Sequence, residues 1–130
     1  MLDSFIATLC QEFGIAGSLA TETRGIYQFT LEDGTKVFIR EVLPGYTFSS
    51  TLTTLPLKNK ETFLSEMMLA NLFGKGTNGA VLGLDDSGNV LTLSQNVEYT
   101  SNYKAFKETL EDFANTVDFW KQQALEYNNK

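Results

Sequence analysis

Three glycines, Gly74, Gly76 and Gly79, carry the spacing G-x-G-x-x-G, with Lys75 and Thr77 between them. That spacing lets a backbone approach a phosphate when the loop follows a strand and opens a helix whose N-terminus faces the anion. Here the order is reversed, because an apolar helical run from Phe63 to Phe73 precedes the glycines and a period-two run follows them. The glycines read as a helix terminator at Gly74 and a place of close backbone packing. Asp85, Asp86 and Asn89 offer oxygens in the manner of a calcium loop. The position that a sharp turn reserves for glycine holds Val90, and no bidentate glutamate follows at the required distance. A hairpin turn is the better reading.

The single cysteine, Cys10, has no histidine anywhere in the chain to pair with. Without histidine there is no usual general base, no usual zinc ligand and no Ser-His-Asp arrangement. Cys10 also sits on the apolar stripe of a helix, where a thiol acts as a small hydrophobe. The carboxylate pairs Glu32-Asp33, Asp85-Asp86 and Glu111-Asp112 fall in turns or on a wet helix face. Neighbours on a helix diverge, so Glu111 and Asp112 do not share a proton or a metal. The residues expected to carry catalysis are none, and neither metal nor cofactor is expected.

The 130 residues suffice for one domain, 1–130, with one hydrophobic core. An apolar fraction of 42% with ten Phe and five Tyr is that of a folded chain. The formal charge of −6 is spread along the sequence. Such a surface repels nucleic-acid phosphate and anionic lipid, and it keeps a protein with apolar patches from self-association. No run approaches the ~18 apolar residues that cross a bilayer, and the first residues lack the basic n-region of a secretory signal. One cysteine suits a reducing compartment, so the expected location is the cytoplasm.

The elements that position these residues follow from periodicity. Leu2, Phe5, Ile6, Leu9, Cys10 and Phe13 recur every three or four residues, with Asp3 or Ser4 available as a cap and Gly14 as a stop. After a small-residue connection, 14 to 23, the period becomes two: Tyr27, Phe29 and Leu31 share one face and Ile26, Gln28 and Thr30 the other. Glu32-Asp33-Gly34-Thr35 and Pro44-Gly45 turn the chain into a three-stranded meander. A second helix capped by Asn59 is apolar around most of its girth, which calls for two packing surfaces; the second is most simply another copy of the chain. A hairpin around DDSGN and a long helix from near Ser101 complete the order α-β-β-β-α-β-β-α, an α+β fold with helices covering one side of an antiparallel sheet.

The run from Leu64 to Trp120 adds wording to this order. Asn71-Leu72-Phe73 ends the second helix, GAVLGLD and LTLS form the hairpin, and the last helix carries Phe106, Leu110, Glu111, Phe113 and Trp120. Together they resemble the class I type III secretion chaperones, the Tir chaperone-like family of small bacterial cytoplasmic dimers. That resemblance implies a homodimer that holds the N-terminal segment of a secreted effector in extended form, without ATP, soluble and competent for export. It also implies contact with the secretion apparatus, and neither nucleic-acid binding nor membrane insertion.

Such a host must supply apolar pockets and backbone hydrogen bonds, since each ordered cargo residue loses roughly 1–2 kcal/mol of backbone freedom. The residues expected to contact effector are Leu2, Phe5, Ile6 and Leu9 on the first helix and Ile26, Gln28 and Phe38 on the outward faces of the first two strands, whose edge is open to β-augmentation. For the dimer the resemblance points to the second helix and adjoining strands: Leu64, Met67, Met68, Leu72, Val81 and Leu91. The competing reading is a small-molecule or lipid-binding α+β domain with aromatic strands around a pocket.

Overall fold

A computed structural model describes residues 1–13, 25–99 and 102–129. The small-residue connection and its Gly14 stop lie outside these residues. The described elements are α1 (Leu2–Glu12), β1 (Ile26–Thr30), β2 (Lys36–Val42), β3 (Gly45–Thr54), α2 (Lys60–Asn71), a 3-10 stretch (Leu72–Thr77), β4 (Val81–Leu84), β5 (Val90–Glu98) and α3 (Tyr103–Asn128). This is the expected α+β order. The five strands form one antiparallel sheet in the order β1-β2-β3-β5-β4, which makes β1 and β4 its two edges.

Each hairpin is closed by the turn chemistry its residues demand. Gly34, at φ +90°, lets its N–H return to Leu31 O while Leu31 N–H donates to Thr35 O at 2.8 Å. In the β4–β5 turn, Asp85 Oδ1 accepts from the Ser87 N–H and hydroxyl and Gly88 stands at φ +76°. Helix starts differ from the simplest expectation. Met1, not Asp3 or Ser4, is the N-cap of α1, and Asn59 holds the N-cap position of α2 in the left-handed region with no side-chain cap bond. Only α3 has a side-chain cap, with Asn102 Oδ1 accepting from Ala105 N–H.

One face of the sheet is dry. Paired residues share a face, so Tyr27, Phe29, Val37, Ile39, Tyr46, Phe48, Leu82, Leu91 and Leu93 point toward the helices, and most of them are buried. Against them α3 lays Phe106, Leu110, Phe113, Val117, Trp120 and Ala124, one stripe at three- and four-residue spacing. Phe106 is the hub: its ring lies 5.1 Å from Phe5, 5.4 Å from Tyr46 and 5.9 Å from Phe48. Toward the other end of α3, Phe63 of α2 packs edge-on to Trp120 and Tyr127. The opposite face of the sheet carries no helix among the described residues and is rich in serine and threonine, as in the row Gln28, Phe38, Ser49, Ser94, Val81, which crosses all five strands.

Two polar clasps tie other elements to α3. Glu12 at the end of α1 accepts from Lys107 Nζ and from the Tyr103 hydroxyl (2.6 Å), and the lysine holds the Glu12 carboxyl below its ordinary range. At the β1–β2 turn, Lys121 Nζ donates to Asp33 (2.8 Å) and to the Thr35 hydroxyl, and the lysine, followed by bonds from the Thr35 hydroxyl and N–H, depresses the Asp33 pKa far more strongly.

Two outcomes follow for stability. Replacing Phe106 by Ala removes the hub of the aromatic cluster and should cost about 3–5 kcal/mol in urea unfolding. Asp33→Asn should cost less, on the order of 1 kcal/mol or under, because the pair is partly exposed. A depressed carboxylate stabilises above its unfolded pKa of about 3.9 and loses that contribution as pH falls toward the folded value. The gap in melting temperature between wild type and Asp33→Asn should therefore be present at neutral pH and close under acid conditions; a gap of constant size would assign the effect to something other than ionisation.

Candidate functional site

The two edges of the sheet are finished differently. At β4, the Asn71 amide turns across the gap from α2, donating through Nδ2 to Leu82 O (2.9 Å) and accepting from Leu82 N–H (2.8 Å). A side-chain amide has the donor and acceptor of one peptide unit, so this pair of bonds imitates a neighbouring strand and closes the edge at that point. It also ends α2. The helix stops at Asn71, three residues before Gly74, and the chain continues as the 3-10 stretch. The glycines of the G-x-G-x-x-G spacing serve this connection: Gly74 and Gly79 take positive φ, Gly79 N–H donates to Gly74 O, and Gly76 O accepts from the Trp120 indole. A strand follows them, not a helix, so the geometry that holds a phosphate is not built there.

At β1 nothing comparable stands among the described residues. Antiparallel pairing alternates between residues that exchange backbone bonds and residues that do not. Leu31 bonds to Thr35 at the turn, so the alternation gives Phe29 and Tyr27 the bonds to β2 and points the backbone groups of Gln28 and Thr30 outward. Beside this edge lies a groove between β1 and α3. Its closed end is a pocket of about 80 Å³ lined by Leu9, Phe13, Phe29, Leu31, Leu110 and Ala114, with Lys107 and Glu111 at its mouth. It continues past Leu31, Ala114 and Val117 into an open trough of about 270 Å³ bordered by Glu32, Asp33 and Asp118. Phe13 is 54% exposed, and the Lys107 ammonium sits 5.3 Å from its ring centroid. A strand added to β1 would project alternate side chains into this groove, and the others beside Ile26, Gln28 and Phe38.

The expected effector residues separate accordingly. Ile26, Gln28 and Phe38 lie together on the helix-free face, partly exposed, with Gln28 directly opposite Phe38. Leu2, Phe5, Ile6 and Leu9 require correction as a surface, because all four are buried in the core. The single apolar stripe of α1 is spent on the sheet and on α3, where Phe5 meets Tyr99, Tyr103 and Phe106. Of the four, Leu9 alone lines the groove, as its end wall. Sequence reasoning missed Phe13, Phe29, Leu31 and Leu110 as groove residues. Phe13 ends the α1 stripe and was visible there, but an inward-facing strand residue gives no sign that its covering helix stops short.

The second apolar surface lies at the other edge. Met68 is 74%, Leu72 55% and Val81 57% exposed, with Leu69 at 69% and Leu84 in addition, while Leu64 is partly buried. Met67 and Leu91 require correction, since both are interior: Met67 faces the core side of α2 and Leu91 lies under the helix layer on β5. Leu69 was missed because α2 is apolar on several sides, which leaves its phase unmarked; Leu84 ends β4 on the face opposite Val81.

Cys10 is partly buried against the core and unpaired. Among the described residues no three His, Cys, Asp or Glu side chains gather where they could hold a metal, and no helix is long and apolar enough to cross a membrane.

The fold and sequence have counterparts. A Chlamydia pneumoniae protein is 30% identical over 122 residues, covering 92% of this chain and 93% of its own. Among solved structures, the ExsC–ExsE complex contains a chain that superposes with a TM-score of 0.78 at 13% identity, over 95% of this chain and 92% of that one. The Yersinia pestis type III secretion chaperone SycH, solved with a stable fragment of YscM2, gives 0.71 at 13% identity, over 92% and 98%. At such low identity these structures speak for the fold alone. The sequence itself matches the family described as Tir chaperone protein (CesT) from residue 4 to residue 121, nearly its whole length, and the chain belongs to that family.

Proposed function

We propose that the protein is a cytoplasmic, homodimeric type III secretion chaperone that holds the N-terminal segment of a secreted effector in extended form. The observation that carries this reading is the outward backbone of Gln28 and Thr30 on the β1 edge, beside which no described strand or side chain stands, with an apolar groove along it, on a sheet whose other edge is closed at Leu82 by Asn71. An extended segment needs backbone partners and a place for every second side chain. Gln28 and Thr30 offer the first; Leu9, Phe13, Phe29, Leu31 and Leu110 offer the second on one side, and Ile26, Gln28 and Phe38 on the other. Family membership supports the same role, as do complexes of similar fold such as SycH with its YscM2 fragment.

Shape argues against the small-molecule alternative. Ligand pockets of about 300–1,000 Å³ enclose their guest, whereas the larger hollows here, about 270 Å³ and about 370 Å³, are open troughs and the more enclosed apolar pocket is about 80 Å³. It takes a side chain, not a metabolite. Binding by strand addition consumes no nucleotide, so cargo is held without ATP. The exposed Met68, Leu69, Leu72 and Val81 are proposed to pair with a second copy, with Leu64 at the border.

Two measurements test this. Light scattering on the purified protein should give twice 14.5 kDa, and Met68→Glu with Leu69→Glu should shift it to a monomer; a wild-type monomer at micromolar concentration overturns the dimer. Ile26→Glu with Phe38→Glu, both on the helix-free face, should abolish capture of a secreted protein through its N-terminal region without lowering the melting temperature. Capture that is unaffected, or that maps to a folded domain of the partner, overturns the cargo site.

A further inference from the structure

Resting on the reading of the β1 groove as a cargo site, we infer that its rim selects a segment in which an aliphatic anchor is accompanied by lysine or arginine. The chemistry of the groove is layered. Its floor is apolar: Leu9, Phe29, Leu31, Leu110, Ala114 and Val117. Its closed pocket, about 80 Å³, is roughly half the ~150 Å³ of an engineered cavity that admits benzene. A side chain of that size, an aliphatic anchor, fills the pocket, and anything larger extends into the trough beside it.

The rim is acidic by a definite count. Among the described residues, the charged groups around the groove are Lys107, Glu111, Asp118 and Lys121 from α3, Glu12 from α1, and Glu32 and Asp33 from the β1–β2 turn. Both lysines are already engaged: Lys107 with Glu12, and Lys121 with Asp33 and Thr35. Glu111 is near enough to add to the field that raises Lys107, but forms no ion pair with it. Glu32, Glu111 and Asp118 are therefore carboxylates in excess, spread along the trough on both banks. A guest with lysine or arginine next to its anchor meets them favourably; a guest with aspartate or glutamate there is repelled. The net charge of −6 adds a weaker pull in the same direction over the whole surface.

Fluorescence anisotropy can read this with labelled peptides in which leucine alternates with serine and threonine, one polar position being arginine, glutamine or glutamate. The arginine peptide should bind the wild-type protein about ten-fold tighter than the glutamate peptide, the sum of a few exposed ion pairs, and the ratio should shrink in high salt. Glu111→Lys with Asp118→Lys should invert the preference. Glu32→Lys, a substitution on the opposite bank that leaves α3 intact, should reduce it independently. Equal binding of all three peptides to the wild-type protein overturns the rim inference and leaves the cargo site standing. An arginine preference that survives both sets of substitutions also overturns it, by assigning the effect to another surface. Failure of every peptide to bind overturns the cargo reading together with it.

Discussion

The architecture depends on a mismatch of coverage: three helices of unequal length must dry one face of a five-stranded sheet. The longest, α3, has 26 residues and spans about 39 Å, while α1 has 11 and spans about 16 Å. The short helix meets α3 around Tyr103, Phe106 and Lys107 and ends at Glu12, clasped there by Lys107 and Tyr103. Beyond that point the groove side of α3, from Ala114 to Lys121, is bordered by the β1–β2 hairpin, while Thr116 and Trp120 meet the 3-10 connection and α2 on another side. Among the described residues, the groove is the space that α1 does not reach. Its apolar floor is therefore a by-product of ordinary core residues left half covered, and no separate set of binding residues had to be added to the fold.

This accounts for what the sequence disclosed and what it withheld. The alternation from Ile26 to Thr30 and from Lys36 to Val42, the turn at Gly34 and the three- and four-residue rhythm of α3 are local signals, and they placed those elements near their observed bounds. The state of an edge is not local. Whether β4 could accept another strand is decided by the Asn71 side chain reaching Leu82 from a helix in another part of the chain, and an asparagine at a helix end reads equally well as a simple terminator. The α1 stripe posed a related problem. Leu2, Phe5, Ile6 and Leu9 have the same spacing whether they face core or guest, and only the packing of Phe5 among Tyr99, Tyr103 and Phe106 settles it. In α2 the difficulty is phase: Met67 and Met68 are adjacent and equally apolar, yet one is buried and the other 74% exposed.

The two apolar surfaces sit at opposite edges of the sheet, and that separation has a geometric consequence for a pair of subunits joined through α2 and β4. Strands in a sheet lie about 4.8 Å apart, so a pair whose two five-stranded sheets lay roughly in line would hold its β1 edges on the order of 40 Å apart. An extended chain advances about 3.4 Å per residue. A guest engaging both grooves needs on the order of a dozen residues merely to bridge them, before those that lie in each groove are counted. In the proposed pair, association and cargo binding would draw on different residues. A guest long enough to reach both grooves gains from the effective concentration of the second once the first is filled, whereas a shorter one is held at a single edge with no such gain. In the proposed pair, length of extended chain would join the acidic rim as a means by which two identical shallow grooves discriminate among partners that each offer only a few aliphatic side chains.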